Sequence, residues 1–190
     1  HWYAGLRTRH SQKGTRMTRI EGMVFDLHAR RRFPGAVTFV DGRIASIVED
    51  ESITTSQWIL PGYVDAHVHV ESSMLVPSEF ARLAVVHGTV GTVSDPHEIG
   101  NVCGVQGVRY MLDNGDTVPF RFAFGAPSCV PATPFETAGA TITAADIRDL
   151  FADTRIRYLS EMMNWPGVLQ QDAEVMEKLA LAAACGRVVD

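Results

Sequence analysis

Two histidines separated by a single residue, His67 and His69, are the strongest chemical signal in this sequence. They follow a Pro-Gly pair in a valine-rich run that predicts a short buried strand over 63–70. Side chains on a strand alternate between its two faces, so both imidazoles are expected on one face, with Asp65 behind them. Two imidazoles on one face can bind one metal ion and leave its other coordination positions open. The alternative is a pair of histidines that packs in a core or lies exposed at a strand end.

Other ionisable side chains stand where later strands are expected to end. The runs at 89–94 and 157–160 predict strands, and four such residues follow them: Asp95, His97, Glu98 and Glu161. Ionisable side chains at the carboxyl ends of successive parallel strands are typical of the active site of a (β/α)8 barrel. We therefore expect these groups close to the histidine pair.

The elements that must position these groups alternate between strand and helix from Pro61 onward. Strands are predicted at 63–70, 89–94, 120–125, 157–160 and 187–190, and helices at 77–87, 105–114, 143–151 and 172–185. This alternation implies parallel strands joined by crossover helices, and no Gly-x-Gly-x-x-Gly or Walker-type loop follows the first strand. A closed barrel needs eight strands, so residues 61–190 are predicted to be the first half of a TIM-like (β/α)8 barrel of the α/β class.

Residues 17–60 are predicted to form a separate small β-domain. Its β-rich runs lie at 20–25, 36–40 and 43–48, and Asp41-Gly42 predicts a two-residue hairpin turn between the last two. A meander of this size buries little apolar surface and needs a partner surface. Residues 1–16 are polar, basic and unpatterned, and are expected to be a disordered leader or a non-native segment.

The composition is that of an ordinary globular protein and excludes several classes. A formal net charge of −5, with 46% hydrophobic and 21% charged residues, argues against nucleic-acid binding through a general basic surface. No apolar run is long enough to cross a bilayer, so no membrane association is expected. Cys103, Cys129 and Cys185 are widely spaced and form no Cys-x-x-Cys motif, which favours a reducing cytoplasm.

Five motifs, taken in order, resemble one family. The run Pro-Gly-Tyr-Val-Asp-Ala-His-Val-His at 61–69 resembles the opening motif of the amidohydrolase superfamily of metal-dependent hydrolases. Four further runs narrow the resemblance to the adenine deaminase family: Val-Glu-Ser-Ser-Met at 70–74, Asp-Pro-His-Glu-Ile at 95–99 with Asn101, Ser-Cys-Val-Pro-Ala at 128–132, and Glu-Met-Met-Asn-Trp-Pro-Gly-Val at 161–168. The resemblance covers about residues 20–190, and the motifs are highly specific together.

The resemblance implies hydrolysis of adenine to hypoxanthine and ammonia, in purine salvage, by a cytoplasmic homo-oligomer. It implies that His67 and His69 bind a first metal and that Glu161 bridges two divalent ions, with Mn²⁺ or Fe²⁺ favoured and Zn²⁺ compatible. For Glu161 the alternative is an exposed or helix-capping acid. The family fold implies a β-domain built from both chain ends, with the remaining metal ligands beyond Asp190. On this interpretation the chain is a truncated N-terminal portion.

The remaining site residues are assigned to catalysis and to substrate binding. The catalytic set lies within reach of a metal-bound water or of the purine: Asp95, His97 and Glu98. Glu98 is also a candidate to orient a histidine ligand, whereas the alternative for Asp95 is a cap on the segment after Pro96. Substrate binding is assigned to Glu71, Ser72 and Ser73, with capping of the following loop as the alternative.

Two rival functions stay open. One is another amidohydrolase that acts on a different cyclic amide or amidine. The other is an inactive half-barrel that binds metal weakly or serves only in assembly, since exposed edge strands favour association.

Overall fold

A computed structural model describes residues 16–133 and 135–190 of the chain. The expected leader over 1–16 lies outside these residues except for Arg16, whose backbone exchanges hydrogen bonds with Asp41. The chain forms two compact units that divide between Gly62 and Tyr63. Within the described ranges, none of the helices combines the length and the apolar character that a membrane span requires.

The first unit is a four-stranded sheet with the order β3-β2-β1-β4. Its strands are β1 (Met17–Asp26), β2 (Arg31–Val40), β3 (Arg43–Glu49) and β4 (Trp58–Ile59). Neighbours among the first three are antiparallel, and β4 runs parallel to β1. Asp41 and Gly42 both have positive φ angles, of 49° and 78°, as a two-residue hairpin turn requires. A small core of Val24, Phe33 and Val37 holds the sheet together.

The second unit is a parallel sheet with helical crossovers, which confirms the predicted α/β class. Its strands are β5 (Tyr63–Val68), β6 (Thr89–Ser94), β7 (Arg121–Ala126) and β8 (Ile156–Leu159), in the order β5-β6-β7-β8. The helices are α1 (Pro77–Ala84), α2 (His97–Gly115), α3 (Ala144–Phe151), α4 (Trp165–Leu169) and α5 (Ala173–Ala184). Because all four strands run in the same direction, their carboxyl ends lie along one edge.

Local sequence signals explain how several of these helices begin. Pro77 occupies the first turn of α1, where a missing backbone N–H has no cost. Thr143 and Asp146 form a capping box at the start of α3, as the sequence predicts. The carboxylate of Asp172 accepts the backbone N–H of Val175 at 3.1 Å and so caps α5. Behind the sheet, the core includes the fully buried Ile147 on α3.

The structure departs from the sequence-based expectation in the burial of β5. This strand is largely exposed: Tyr63 and Val64 keep 59% and 63% of their accessible surface. It is an edge strand of its sheet and pairs only with β6 in the described part of the chain. The valine-rich pattern predicts the strand correctly, but burial depends on neighbours that the pattern does not specify.

Two larger differences from the prediction concern the strand at 187–190 and the second helix. The strand expected at 187–190 is reduced to a single parallel bridge between Val189 and Leu159. The second helix begins at His97 rather than at 105, and it is broken inside at Gly104, where φ is 61° and ψ is −150°. The helix predicted at 105–114 corresponds to the segment after this break, and the segment before it carries His97 and Glu98.

Candidate metal centre

The imidazoles of His67 and His69 converge at the carboxyl end of β5. His67 is on the strand and His69 lies one residue beyond its last residue, so alternation brings their rings to the same side. Their Nε2 atoms are 3.2 Å apart. The Nδ1 atom of His69 donates to the backbone carbonyl oxygen of Asp95 at 2.9 Å, and that of His67 donates to Oδ2 of Asp190 at 2.8 Å.

These partners determine which ring nitrogens are free to bind a cation. A carbonyl or carboxylate oxygen only accepts, so each neutral ring carries its hydrogen on Nδ1 and a lone pair on Nε2. Two lone pairs that face each other repel unless a cation lies between them. Two nitrogens that bind one ion at about 2.0–2.1 Å stand roughly 3.0–3.4 Å apart, and the observed separation of 3.2 Å fits that spacing.

Asp95 and His97 contribute a second pair of donors from the end of β6 and the start of α2. The carboxyl group of Asp95 is 1% exposed, and its Oδ2 accepts the Nδ1 hydrogen of His97 at 2.9 Å. Its Oδ1 is buried and has no hydrogen-bond partner within the described residues. The N-cap residue of α2, Pro96, makes no side-chain capping bond, and among the described residues the Asp95 carboxylate accepts from the His97 ring and not from the backbone of this turn. A buried carboxylate oxygen without a partner is a suitable position for a cation.

Glu161 lies between the two pairs. Its Oε1 atom is 3.4 Å from Nε2 of His69, 3.8 Å from Nδ1 of His97 and 4.0 Å from Nε2 of His67. The residue follows β8 by two positions, so three strand ends supply the group. Its backbone carbonyl oxygen accepts a short hydrogen bond from the hydroxyl of Ser128 in the loop after β7. This bond ties the position of Glu161 to the neighbouring strand.

The structure brings four of the predicted residues into one group of potential metal ligands. One ligand atom from each lies within 4.8 Å of all the others: His69, Asp95, His97 and Glu161. His67 adjoins only two members of this group, His69 and Glu161. The donors are imidazole nitrogens and carboxylate oxygens without thiolates, a set that suits zinc, manganese and iron. The residues present therefore fit a divalent metal.

The charges around His97 favour a cation at this place. Burial opposes a charged ring, but the hydrogen bond and charge of Asp95, with the charges of Glu98 and Glu161, raise the pKa of His97 to about 9. Burial also acts against ionised Glu98, yet the hydrogen bond from Ser72 and the nearby histidines lower its pKa. The carboxylates that stabilise a histidinium would stabilise a metal ion in the same way.

The residues assigned to substrate binding form the support of this group and do not belong to it. Burial, with the nearby charge of Glu98, raises the pKa of Glu71 to about 7, and Glu71 accepts the backbone N–H of Ile99 at 3.1 Å. The Ser72 hydroxyl donates to Oε1 of Glu98 at 2.9 Å. Ser73 donates to a local backbone carbonyl, that of Val70. The segment after β5 is thereby tied to the first turn of α2.

Two residues at the site were not identified from the sequence: Asp190, which contacts His67, and Ser128, which contacts Glu161. The sequence contains a signal for each residue, a strand-end position for Asp190 and membership of a motif for Ser128. Asp190 is the last residue of the strand predicted at 187–190, so strand-end reasoning could have placed it at the same edge. Ser128 opens one of the five motifs, but its backbone contact leaves no pattern in the sequence.

Comparison with known proteins identifies the family of the chain. The sequence profile of the Amidohydrolase family matches residues 58–190. Curated relatives named adenine deaminase are 56% identical in Sulfurovum sp. (strain NBC37-1), 54% in Salinibacter ruber and 51% in Methanosarcina barkeri. The alignments cover 87%, 90% and 92% of this chain but only 31% of each relative. The chain therefore spans about a third of the length of these relatives. Because the family profile matches most of the sequence, the chain belongs to the amidohydrolase family.

Proposed function

We propose that the protein to which this chain belongs hydrolyses adenine to hypoxanthine and ammonia with the help of divalent metal ions. The observation that carries the proposal is the convergence of His69, Asp95, His97 and Glu161 at the carboxyl edge of a parallel sheet. The substrate is proposed from the names of relatives that are about half identical over nearly the whole chain.

The parallel unit is proposed to be the first half of a (β/α)8 barrel. His67 lies on β5, at one edge of the sheet, and Asp190 lies next to β8, at the other. Their side chains nevertheless meet at 2.8 Å. A flat sheet would hold these two positions apart, so the contact supports a strongly curved sheet. We further propose that residues 17–60 are the N-terminal strands of a β-sandwich completed by another part of the protein.

The residues proposed to hold divalent metal are His67, His69 and Glu161. Manganese or iron is proposed as the native metal, and zinc also suits the donors. When bound, such an ion lowers the pKa of a coordinated water so that hydroxide forms near neutral pH. The two histidines and Glu161 would hold the ion, and the buried carboxylate of Asp95 would balance its charge.

His97 and Glu98 are proposed to handle the protons of the reaction. Both line a cavity of about 330 Å³ next to the proposed ligands. In the overall reaction, a water oxygen adds to C6 of adenine, ring N1 gains a proton, and the amino group leaves as ammonia after gaining another. The Nδ1 hydrogen of His97 is held by Asp95. Its Nε2 is the atom that would donate a proton to the purine. Glu98, whose Oε1 lies 3.9 Å from that nitrogen, would take a proton from the water and return it to His97.

Glu71, Ser72 and Ser73 are proposed to support substrate binding from the segment after β5. Glu71 holds the start of α2 through Ile99, and Ser72 holds Glu98. A change in any of these contacts would move the groups that face the purine. For the whole protein we also propose a homo-oligomer that works in purine salvage in the cytoplasm, where the free thiols of Cys103, Cys129 and Cys185 would stay reduced.

The test is ammonia release and hypoxanthine formation from adenine after loading with Mn²⁺ or Fe²⁺. It would use the 190-residue chain and a chain of the relatives' length that contains it. Glu161→Gln keeps the size of the side chain but loses its charge, and we expect it to lower kcat/KM by more than about 100-fold. Glu79→Gln changes an exposed carboxylate paired with Arg82 and is the matched control.

A substrate panel separates the proposed function from its rivals. Turnover of cytosine, dihydroorotate or an imidazolone with none of adenine would identify another amidohydrolase. The absence of turnover with every substrate, in both lengths of chain, would favour an inactive half-barrel. Adenine turnover that Glu161→Gln leaves intact would contradict the assigned role of Glu161.

A further inference from the structure

We infer that Asp190 is a positioning residue that holds the imidazole of His67 in the tautomer and orientation needed to bind metal. This inference rests on the proposed metal centre. It assigns a role to a residue outside the close group of potential ligands. The side chain of Asp190 reaches His67 through one hydrogen bond.

The geometry of that bond determines what His67 can do. Oδ2 of Asp190 lies 2.8 Å from Nδ1 of His67, a normal length for a charge-assisted hydrogen bond. The carboxylate can only accept, so the ring hydrogen is held on Nδ1 and the lone pair stays on Nε2. Nε2 then faces Nε2 of His69 at 3.2 Å and Oε1 of Glu161 at 4.0 Å.

The backbone of Asp190 is anchored on both sides of Glu161. Its N–H donates to the carbonyl oxygen of Leu159 at 3.1 Å, and its carbonyl oxygen accepts the N–H of Met162 at 3.2 Å. The segment that carries Glu161 therefore also places the carboxylate that orients His67. A shift of this segment would move a proposed ligand and the support of another ligand together.

The two histidines of the pair are supported differently. Nδ1 of His69 donates to the backbone carbonyl oxygen of Asp95, which no side-chain substitution removes, and Oε2 of Glu98, itself a proposed catalytic group, lies 3.3 Å from the same nitrogen. His67 is held by the charged side chain of Asp190. Loss of an outer partner of a metal-binding histidine typically weakens metal binding by about 10–100-fold. Asp190 is thus the support whose contribution mutation can measure.

The first measurement is the tautomer of His67 in the metal-free chain, read from ¹⁵N–¹H correlations of the imidazole ring. We expect the Nδ1–H form in the wild type and a mixture of both tautomers in Asp190→Ala. Asp190→Asn keeps an accepting oxygen without the charge and is expected to retain most of the Nδ1–H form. Asp149→Asn, at an exposed carboxylate on α3, is the control and should leave the spectrum unchanged.

The second measurement is Mn²⁺ affinity by competition with a fluorescent chelator. We expect Asp190→Ala to weaken binding by about 10–100-fold, Asp190→Asn to weaken it less, and Asp149→Asn to have no effect. Melting temperatures measured without metal show whether Asp190→Ala is still folded. If this variant is unfolded, the tautomer and the Mn²⁺ affinity of Asp190→Asn test the inference instead. Wild-type tautomer and wild-type affinity in a folded Asp190→Ala would overturn the inference. The expected tautomers in a wild-type chain that binds no metal would instead count against the proposed function.

Discussion

The imidazole of His69 donates its Nδ1 hydrogen to the backbone carbonyl oxygen of Asp95, across 2.9 Å. The two strand ends that carry these residues are also joined by a backbone hydrogen bond of 3.2 Å from the N–H of Asp95 to the carbonyl oxygen of Val68. The end of β6 therefore determines which nitrogen of His69 is free. Neighbouring strands build one site here because the backbone of one orients the side chain of the other.

Removal of His69 should abolish tight metal binding. Its Nε2 is the donor closest both to Nε2 of His67 and to Oε1 of Glu161, at 3.2 and 3.4 Å. We expect His69→Ala to weaken Mn²⁺ binding by more than about 100-fold, beyond the effect of losing an outer partner. Chelator competition measures the affinity. His87→Ala changes an exposed histidine of the same unit and should bind metal like the wild type. An equal loss of Mn²⁺ affinity in both variants would contradict the role of His69 as a metal ligand.

The break in α2 at Gly104 should be required for the stability of the second unit. A φ of 61° with a ψ of −150° is a conformation that residues with a Cβ rarely adopt, and an added Cβ would lie 3.1 Å from that of Ala140. We expect Gly104→Ala to lower the free energy of unfolding by about 1–3 kcal/mol, measured by urea denaturation. It should also weaken metal binding, because His97 lies at the start of the helical segment that ends at this break.

The exposed Gln106 offers a control on the same helix. Gln106→Ala introduces the best helix former without touching the break, so we expect its unfolding free energy to stay within about 0.5 kcal/mol of the wild type. A stabilising effect of Gly104→Ala would show instead that α2 can continue as a regular helix through this position.

Ser128 should affect the site through Glu161. Its hydroxyl donates to the backbone carbonyl oxygen of Glu161, and the side chain of Lys178 donates to the Ser128 carbonyl oxygen at 2.9 Å. Ser128→Ala keeps the second bond and loses the first, so we expect a loss of about 0.5–1.5 kcal/mol in unfolding free energy and weaker Mn²⁺ binding. Thr117→Ala removes a local hydrogen bond to the carbonyl oxygen of Asn114, outside the proposed site, and is the control. Metal affinity unchanged by Ser128→Ala would mean that Glu161 is held by other contacts.

The capping box of α3 should make stability depend on acid pH. Hydrogen bonds from the backbone N–H and hydroxyl of Thr143 lower the pKa of Asp146 below its ordinary value of 3.8. The carboxylate therefore contributes stability above about pH 3.8, and this contribution is lost as the pH falls through the lowered folded-state pKa. We expect Thr143→Ala to cost about 1 kcal/mol at pH 7 by urea denaturation.

The corresponding charge variant tests the direction of this pH dependence. Asp146→Asn should be less stable than the wild type at pH 7, and the difference should shrink below the lowered pKa, where the wild-type carboxyl is also neutral. Asp149→Asn alters an exposed carboxylate on the same helix and should show no such difference. A gap between Asp146→Asn and the wild type that widens in acid would contradict the proposed linkage.

Short-range patterns in the sequence were sufficient for most of the fold. Strand β6 has the predicted bounds, Thr89–Ser94, and α3 begins at the predicted capping box. The two-residue spacing places the rings of His67 and His69 together without knowledge of any other strand. These features depend on residues within a few positions of one another. The side-chain periods of strands and helices can therefore be recognised in the sequence without knowledge of the tertiary structure.

Only the tertiary structure decided which groups meet at the site. The bond between His67 and Asp190 joins residues 123 positions apart, and the partnerless Oδ1 of the buried Asp95 depends on how β5, β6 and β8 pack. The exposure of β5 likewise follows from its place at the edge of the sheet. Strand order and sheet curvature are properties of the packed chain, and no local period encodes them. The sequence by itself determined the chemical types of the donors and the strand ends that carry them, whereas packing across the sheet determined their distances, tautomers and supports.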